Sequence, residues 1–104
     1  MDELARVTAA TVDVLRVLSA GDDACWGLRV IKGSGRPPGS VYPILERLER
    51  AGWVSSAWEA ENDRPGPRRR FYKLSDGGAV AARAVIARFD AKSNASFRPT
   101  GAQA

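Results

Sequence analysis

The sequence contains no histidine and only one cysteine, Cys25, in 104 residues. Without histidine there is no imidazole to move protons near neutral pH. A single thiol cannot close an intramolecular disulfide, and no Cys/His zinc spacing can be built from it. Cys25 stands beside Trp26 in an apolar stretch, which suits a buried structural thiol. No glycine-rich phosphate loop is present either, so neither enzymatic chemistry nor any metal or other cofactor is expected. No apolar run reaches the ~20 residues of a membrane span. The N-terminus lacks the basic-then-apolar order of a secretory signal, and the expected location is the cytoplasm. A second core is missing too, because a chain of 104 residues has room for one domain. So small a domain buries only ~60–70% of its unfolded surface, and pairing with a second copy would add stability.

What the chain does have is positive charge in one place. The net charge is +4, from 16 basic and 12 acidic side chains. Residues 1–31 carry more acidic than basic groups. Residues 32–73 hold nine basic groups against five acidic ones, so the excess sits on the middle of the chain. A solvated surface is the plain explanation of such charge. Focused on one stretch, it favours a polyanionic partner.

The hydrophobic pattern divides the chain into elements. Leu4, Val7, Thr11, Leu15 and Leu18 recur at helical spacing and predict a helix over residues 8–20, with Thr8 as its cap and Gly21 as its stop. Val12, Val14 and Val17 widen its apolar surface beyond one stripe. Such a helix needs a second partner, either the rest of the core or another subunit. Asp22 and Asp23 can cap a short second helix over 24–32, whose apolar members are Cys25, Leu28 and Ile31. The Gly/Pro-rich run from 33 to 39 reads as a turn. A third helix starts near 38–40 and ends at Gly52, with Val41, Ile44, Leu45 and Leu48 on its core face. Pro43 is tolerable because it falls in or just after the first turn.

Two strand-like runs follow, 53–58 and 71–74, separated by a charged loop with Pro65 and Pro67 that is too long for a two-residue hairpin. Ser75 then caps a last helix over 76–91 with the apolar stripe Ala82, Val85, Ile86 and Phe89. Residues 92–104 have no periodicity and are expected to form a frayed tail beyond a domain of 1–91. The expected fold is mostly α with a two-stranded β wing. The order helix–helix–helix–strand–strand–helix is that of a winged helix-turn-helix with a C-terminal dimerisation helix. That arrangement lets one helix enter a DNA major groove while the wing grips phosphate beside it.

Particular residues carry a closer likeness. Trp26-Gly27-Leu28-Arg29-Val30-Ile31-Lys32 resembles the aromatic-Gly-aromatic-Glu-Ile-Ile-Lys run of the PadR family of bacterial transcriptional regulators. The stretch from Pro38 to Gly52, with Gly39-Ser40-Val41-Tyr42-Pro43 at its head, is similar to that family's Gly-Ser/Thr-Leu-Tyr-Pro helix. Trp58, Gly66, Arg69, Arg70, Phe71, Tyr72, Leu74, Ser75 and Gly78 resemble its wing and the entry to its final helix. The likeness spans roughly residues 12–80. The chain departs from the family pattern at Leu28, at Arg29 (usually Glu) and at Pro65-Gly66-Pro67. Its shortness resembles the small subclass of the family. Some small members bind planar drugs between aromatic residues at the dimer interface, but here the last helix offers only Phe89.

The resemblance implies a cytoplasmic homodimer that binds double-stranded DNA at an inverted repeat, as a repressor, with any small-molecule inducer unknown. The candidate DNA-binding residues are Lys32, Arg36, Gly39, Ser40, Tyr42, Pro43, Arg47, Arg68, Arg69 and Arg70. The candidate dimer residues are Leu4, Leu15, Ala82, Val85, Ile86 and Phe89. Simpler roles stand beside these. Ser40 can be only a helix cap, and Tyr42 can simply edge the core. Strand alternation forbids Arg68, Arg69 and Arg70 from all facing one side. Trp53, Trp58 and Phe71 are expected in the core, and Glu46 and Glu49 as salt-bridge partners on the helix surface. The rival reading is a winged-helix module that binds other proteins, which would pair a neutral wing with an exposed apolar patch.

Overall fold

A computed structural model describes residues 1–4, 6–21, 25–60 and 65–96. Helix α1 (Ala9–Ala20) starts where expected: the Thr8 hydroxyl accepts from the backbone N–H of Thr11 at 3.2 Å. Gly21 closes it by donating to the Val17 carbonyl at 2.9 Å. Thr11, Val12, Val14, Leu15 and Leu18 are all buried. The width of that surface is explained within the chain, because α1 is the central element against which the other helices pack.

Helix α2 (Gly27–Ser34) begins three residues later than the periodicity suggests. Trp26 is extended, and the chain at Cys25 and Trp26 is tied to a later strand rather than wound into the helix. The Tyr72 N–H donates to the Cys25 carbonyl at 2.8 Å, and Trp26 bridges Phe71. Val30 faces the core in place of Leu28, which is exposed. Asp22 and Asp23, the expected caps, lie outside the described residues.

Helix α3 (Pro38–Arg50) buries Val41, Ile44, Leu45 and Leu48, as their spacing requires. Its end is fixed by a Schellman pattern: Trp53 N–H donates to the Leu48 carbonyl (2.9 Å) and Gly52 N–H to that of Glu49 (3.1 Å). Gly52 has a φ of 85°, a conformation natural to glycine. Strands β1 (Val54–Trp58) and β2 (Arg70–Leu74) pair antiparallel, with Val54 opposite Leu74, Ser56 opposite Tyr72 and Trp58 opposite Arg70. Helix α4 (Asp76–Ser96) follows, its Ser75 cap accepting from Gly78 N–H at 2.9 Å. It runs five residues past the expected end at 91, into the stretch read as a frayed tail. Residues 97–104 lie outside the described residues.

One core joins these elements: Leu15, Leu45, Leu48, Val12, Val14, Val30 and Val41 are wholly enclosed, and Cys25 lies among them as expected. Trp53 is also buried, and its indole N–H donates to the Asp2 carbonyl at 2.6 Å. That bond ties the N-terminal segment to the end of α3. Among the described residues no helix is long and apolar enough to cross a membrane.

Candidate nucleic-acid interface

The solvent face of α3 follows from its core face. With Val41, Ile44, Leu45 and Leu48 turned inward, the helical period puts Gly39, Tyr42, Pro43, Glu46, Arg47 and Arg50 outward, and all six are exposed. Ser40, in the first turn, is half-buried. Pro43 has no N–H for the carbonyl of Gly39, so that carbonyl loses its helical donor at an exposed place. Arg50 pairs with Glu46 at 2.7 Å, the i,i+4 pairing expected on a solvated helix. Arg47 makes no ion pair among the described residues and is the cation of this face left for a partner.

Tyr42 is 45% exposed, and its ring leans on the start of α2. A β-carbon on Gly27 would lie 2.6 Å from the Tyr42 hydroxyl, so only glycine leaves room for the phenol there. Lys32 is exposed near the end of α2. Arg36, in the turn before α3, is already engaged: its guanidinium reaches the Asp13 carboxylate of α1 at 2.9 and 3.0 Å. The turn is thereby tied to α1, and Arg36 serves to position it.

The three wing arginines go different ways, as alternation demands. Arg68 is exposed. The Arg69 guanidinium stacks over the Trp26 ring at 3.8 Å, with its Nε buried and without an acceptor among the described residues. Arg70 donates to the Ser56 hydroxyl at 2.6 Å, lies 3.8 Å from the Glu49 carboxylate, and covers the Trp58 ring at 5.0 Å. Ser56 in turn donates to Glu49 at 2.5 Å. Glu49 is therefore a clamp between α3 and the wing, a sharper role than that of a surface partner. Burial raises the Tyr72 phenol above its ordinary range, and the nearby Arg70 guanidinium works against that rise. Residues 61–64, at the wing's tip, lie outside the described residues.

Between α3 and the wing lies a cleft of about 260 Å³ lined by Trp26, Gly27, Leu28, Tyr42, Trp58, Pro67, Arg68, Arg69, Arg70 and Tyr72. The expectation of Trp58 in the core fails: it is 60% exposed. Along β1, Val54, Ser56 and Trp58 share one face, and their exposure grows toward the tip because the core ends beneath Val54. Phe71 is half-buried, between the two outcomes. The part played by Trp26 and Trp58 is not visible from spacing alone, since a strand's end and its middle alternate alike.

The six candidate dimer residues also separate. Leu15 and Ala82 are wholly enclosed, and Val85 is nearly so, all in this chain's own core. For Leu15 and Ala82 the structure corrects the expectation, because both are closed to a second copy, whereas Val85 also lines a surface pocket with Met1, Glu3 and Arg88. Leu4, Ile86 and Phe89 are partly buried against the core and keep some exposed surface. On the same side, the Arg16 guanidinium of α1 makes a two-point ion pair with the Asp90 carboxylate of α4.

Comparison with known proteins agrees with this geometry. A family model described as the transcriptional regulator PadR-like family matches residues 27–84, from the start of α2 to the middle of α4. A PadR family transcription regulator from Clostridium difficile R20291 is 22% identical and superimposes with a TM-score of 0.69, covering 88% of this chain and 100% of that one. A PadR-like transcription factor from Bacteroides fragilis is 19% identical, with a TM-score of 0.61 over 85% of this chain and 88% of its own. MepR of Staphylococcus aureus, solved as a DNA complex, is 22% identical, with a TM-score of 0.63 over 86% of this chain and 70% of its own. No curated protein sequence matches the chain. These likenesses bear out the mostly helical winged fold.

Proposed function

Because the chain belongs to the PadR-like family of transcriptional regulators, we propose that it is a cytoplasmic, sequence-specific DNA-binding repressor that acts as a homodimer. The observation that carries this reading is the shared cleft: Tyr42 of α3 and Arg68, Arg69 and Arg70 of the wing line one surface. A helix face and a basic wing on one side match the demands of a duplex, with the helix in the major groove and the wing on the flanking phosphates. The fold shared with MepR, which is solved with DNA, supports the same partner.

Within this reading Arg47, Tyr42 and Ser40 approach bases or their adjoining phosphates. Lys32, Arg68 and Arg69 meet the backbone. A second copy docks on the surface left by Leu4, Ile86 and Phe89. Two-fold pairing sets the recognition helices ~34–36 Å apart, or a multiple of it, and so calls for an inverted repeat.

The test is selection of duplexes from a random pool, followed by titration of the selected and of scrambled duplexes over a range of salt. Tyr42→Ala should weaken binding to the selected duplex more than to the scrambled one. Arg69→Ala with Arg70→Ala should lower the log–log salt slope by about 0.9 for each phosphate that is no longer neutralised. Equal weakening on both duplexes for Tyr42→Ala would remove that residue from sequence choice, and an unchanged slope would remove Arg69 and Arg70 from the interface.

A further inference from the structure

The cleft between α3 and the wing is built unlike a phosphate grip. Guanidinium groups alone suffice for phosphate, yet here two of them lie over indole rings, Arg69 on Trp26 and Arg70 on Trp58. The tyrosine of α3 closes another side. Such a mixture of aromatic faces and arginines is what a flat, uncharged ring carrying a phosphate requires: stacking for the ring and charge for the phosphate. The volume of about 260 Å³ is enough for one base. Within a duplex, moreover, base faces are stacked and hidden, so an aromatic cleft meets one only where the base is unpaired.

We infer that this cleft holds an unpaired nucleobase of a single DNA strand, stacked against the exposed ring of Trp58 with its phosphate on Arg68 and Arg69. The site goes beyond duplex recognition and does not depend on it. Trp58 is the natural probe, because an indole 60% exposed at the end of a strand carries none of the core.

The experiment titrates the full chain with a labelled short oligothymidylate, reading both anisotropy and tryptophan fluorescence. Binding should quench the tryptophan signal. Trp58→Ala should weaken it between about five-fold and about a hundred-fold, the range for removing one stacked ring. Trp58→Phe should restore most of the affinity, and circular dichroism should show an unchanged fold for both variants. An abasic strand of the same length keeps the phosphates and should bind like the Trp58→Ala protein. Equal binding of thymine and abasic strands, or an unaffected Trp58→Ala variant, would overturn the inference. Thymidine 5′-monophosphate binding as tightly as the strand would overturn the strand as occupant in favour of a free nucleotide. Tighter binding of a matched oligouridylate would overturn DNA in favour of RNA. Wild-type protein that binds the selected duplex but no oligothymidylate would overturn this site alone, and oligothymidylate binding without any duplex selection would overturn the regulator reading alone.

Discussion

Helix α3 and the wing lie on the same side of the molecule but are held by different physics. Four enclosed apolar side chains and a Schellman end fix α3, and on its outward face Arg50 pairs with Glu46. The wing is held by polar and aromatic contacts at its surface: Arg70 to Ser56 and Glu49, Arg70 over Trp58, Arg69 over Trp26. The helix thus presents a face set in advance. The wing presents arginines that must exchange internal partners for phosphate. Fixed geometry suits the part that discriminates among sequences, and exchangeable charge suits the part that adds affinity to any sequence.

The sharpest way to break this contrast is to remove the support of α3. Leu45→Ala deletes a wholly enclosed side chain between α3 and the rest of the core. It should cost ~2–5 kcal/mol of stability, a large share of the ~5–15 kcal/mol typical of a whole domain. Urea unfolding of the two proteins measures it. A loss under ~1 kcal/mol would mean that α3 is held no more firmly than the wing.

A smaller effect sharpens the wing's side of the comparison. Glu49→Gln keeps a hydrogen-bond acceptor for Ser56 but removes the charge that faces Arg70. Stability should fall by less than ~1 kcal/mol, as for other exposed or half-exposed pairs. Affinity for duplex DNA should rise several-fold, on selected and scrambled sequences alike, because one carboxylate leaves the interface and one guanidinium is released. Anisotropy titration at fixed salt reads this directly. An unchanged affinity would show that Glu49 does not hold Arg70 back.

These interactions also mark how far the sequence can be read by itself. The start of α3 at Pro38, its stop at Gly52 and the Ser75 cap of α4 are written in neighbouring residues, so local rules find them. The start of α2 is not: Cys25 has helical spacing with Leu28 and Ile31, yet it and Trp26 are claimed by β2, more than forty residues away. Arg36 reads as an open cation until Asp13, in another helix, is brought to it. Leu15 and Ala82 read as spare apolar surface until α1 and α4 are packed together within one chain. Helix α4 outlasts its apolar stripe because no glycine or proline follows Phe89 before Ser96, and a polar helix without a breaker continues. The wing residues Arg68, Arg69 and Arg70 are visible as a basic run. The aromatic half of their cleft is not, because it needs Trp26 and Trp58 to meet across the fold.

The smallest expected effect lies on the far side, where α1 meets α4, and it separates fold maintenance from the interface. The Arg16 hydrogen bond holds the Asp90 carboxyl below its ordinary value of 3.8. The native chain therefore gives up that proton more readily than the unfolded chain does. The stabilisation is present above about pH 4 and is lost as pH falls through the lower native value. Both side chains are close to half exposed, so the effect is screened and modest. Asp90→Asn should melt slightly lower than the wild type at about pH 6, and the gap should close in acid well below about pH 4. Binding of a single half-site duplex at neutral pH should be unaltered, since the pair lies on α1 and α4, beside the surface proposed for the second copy and away from Tyr42 and the wing. Thermal scans at the two pH values, with one anisotropy titration, are enough. A melting gap that persists undiminished in acid would assign the role of Asp90 to something other than its charge. A loss of half-site affinity would place the α1–α4 side in the DNA contact itself and erase the division between a face that reads DNA and a side that holds the fold and its second copy.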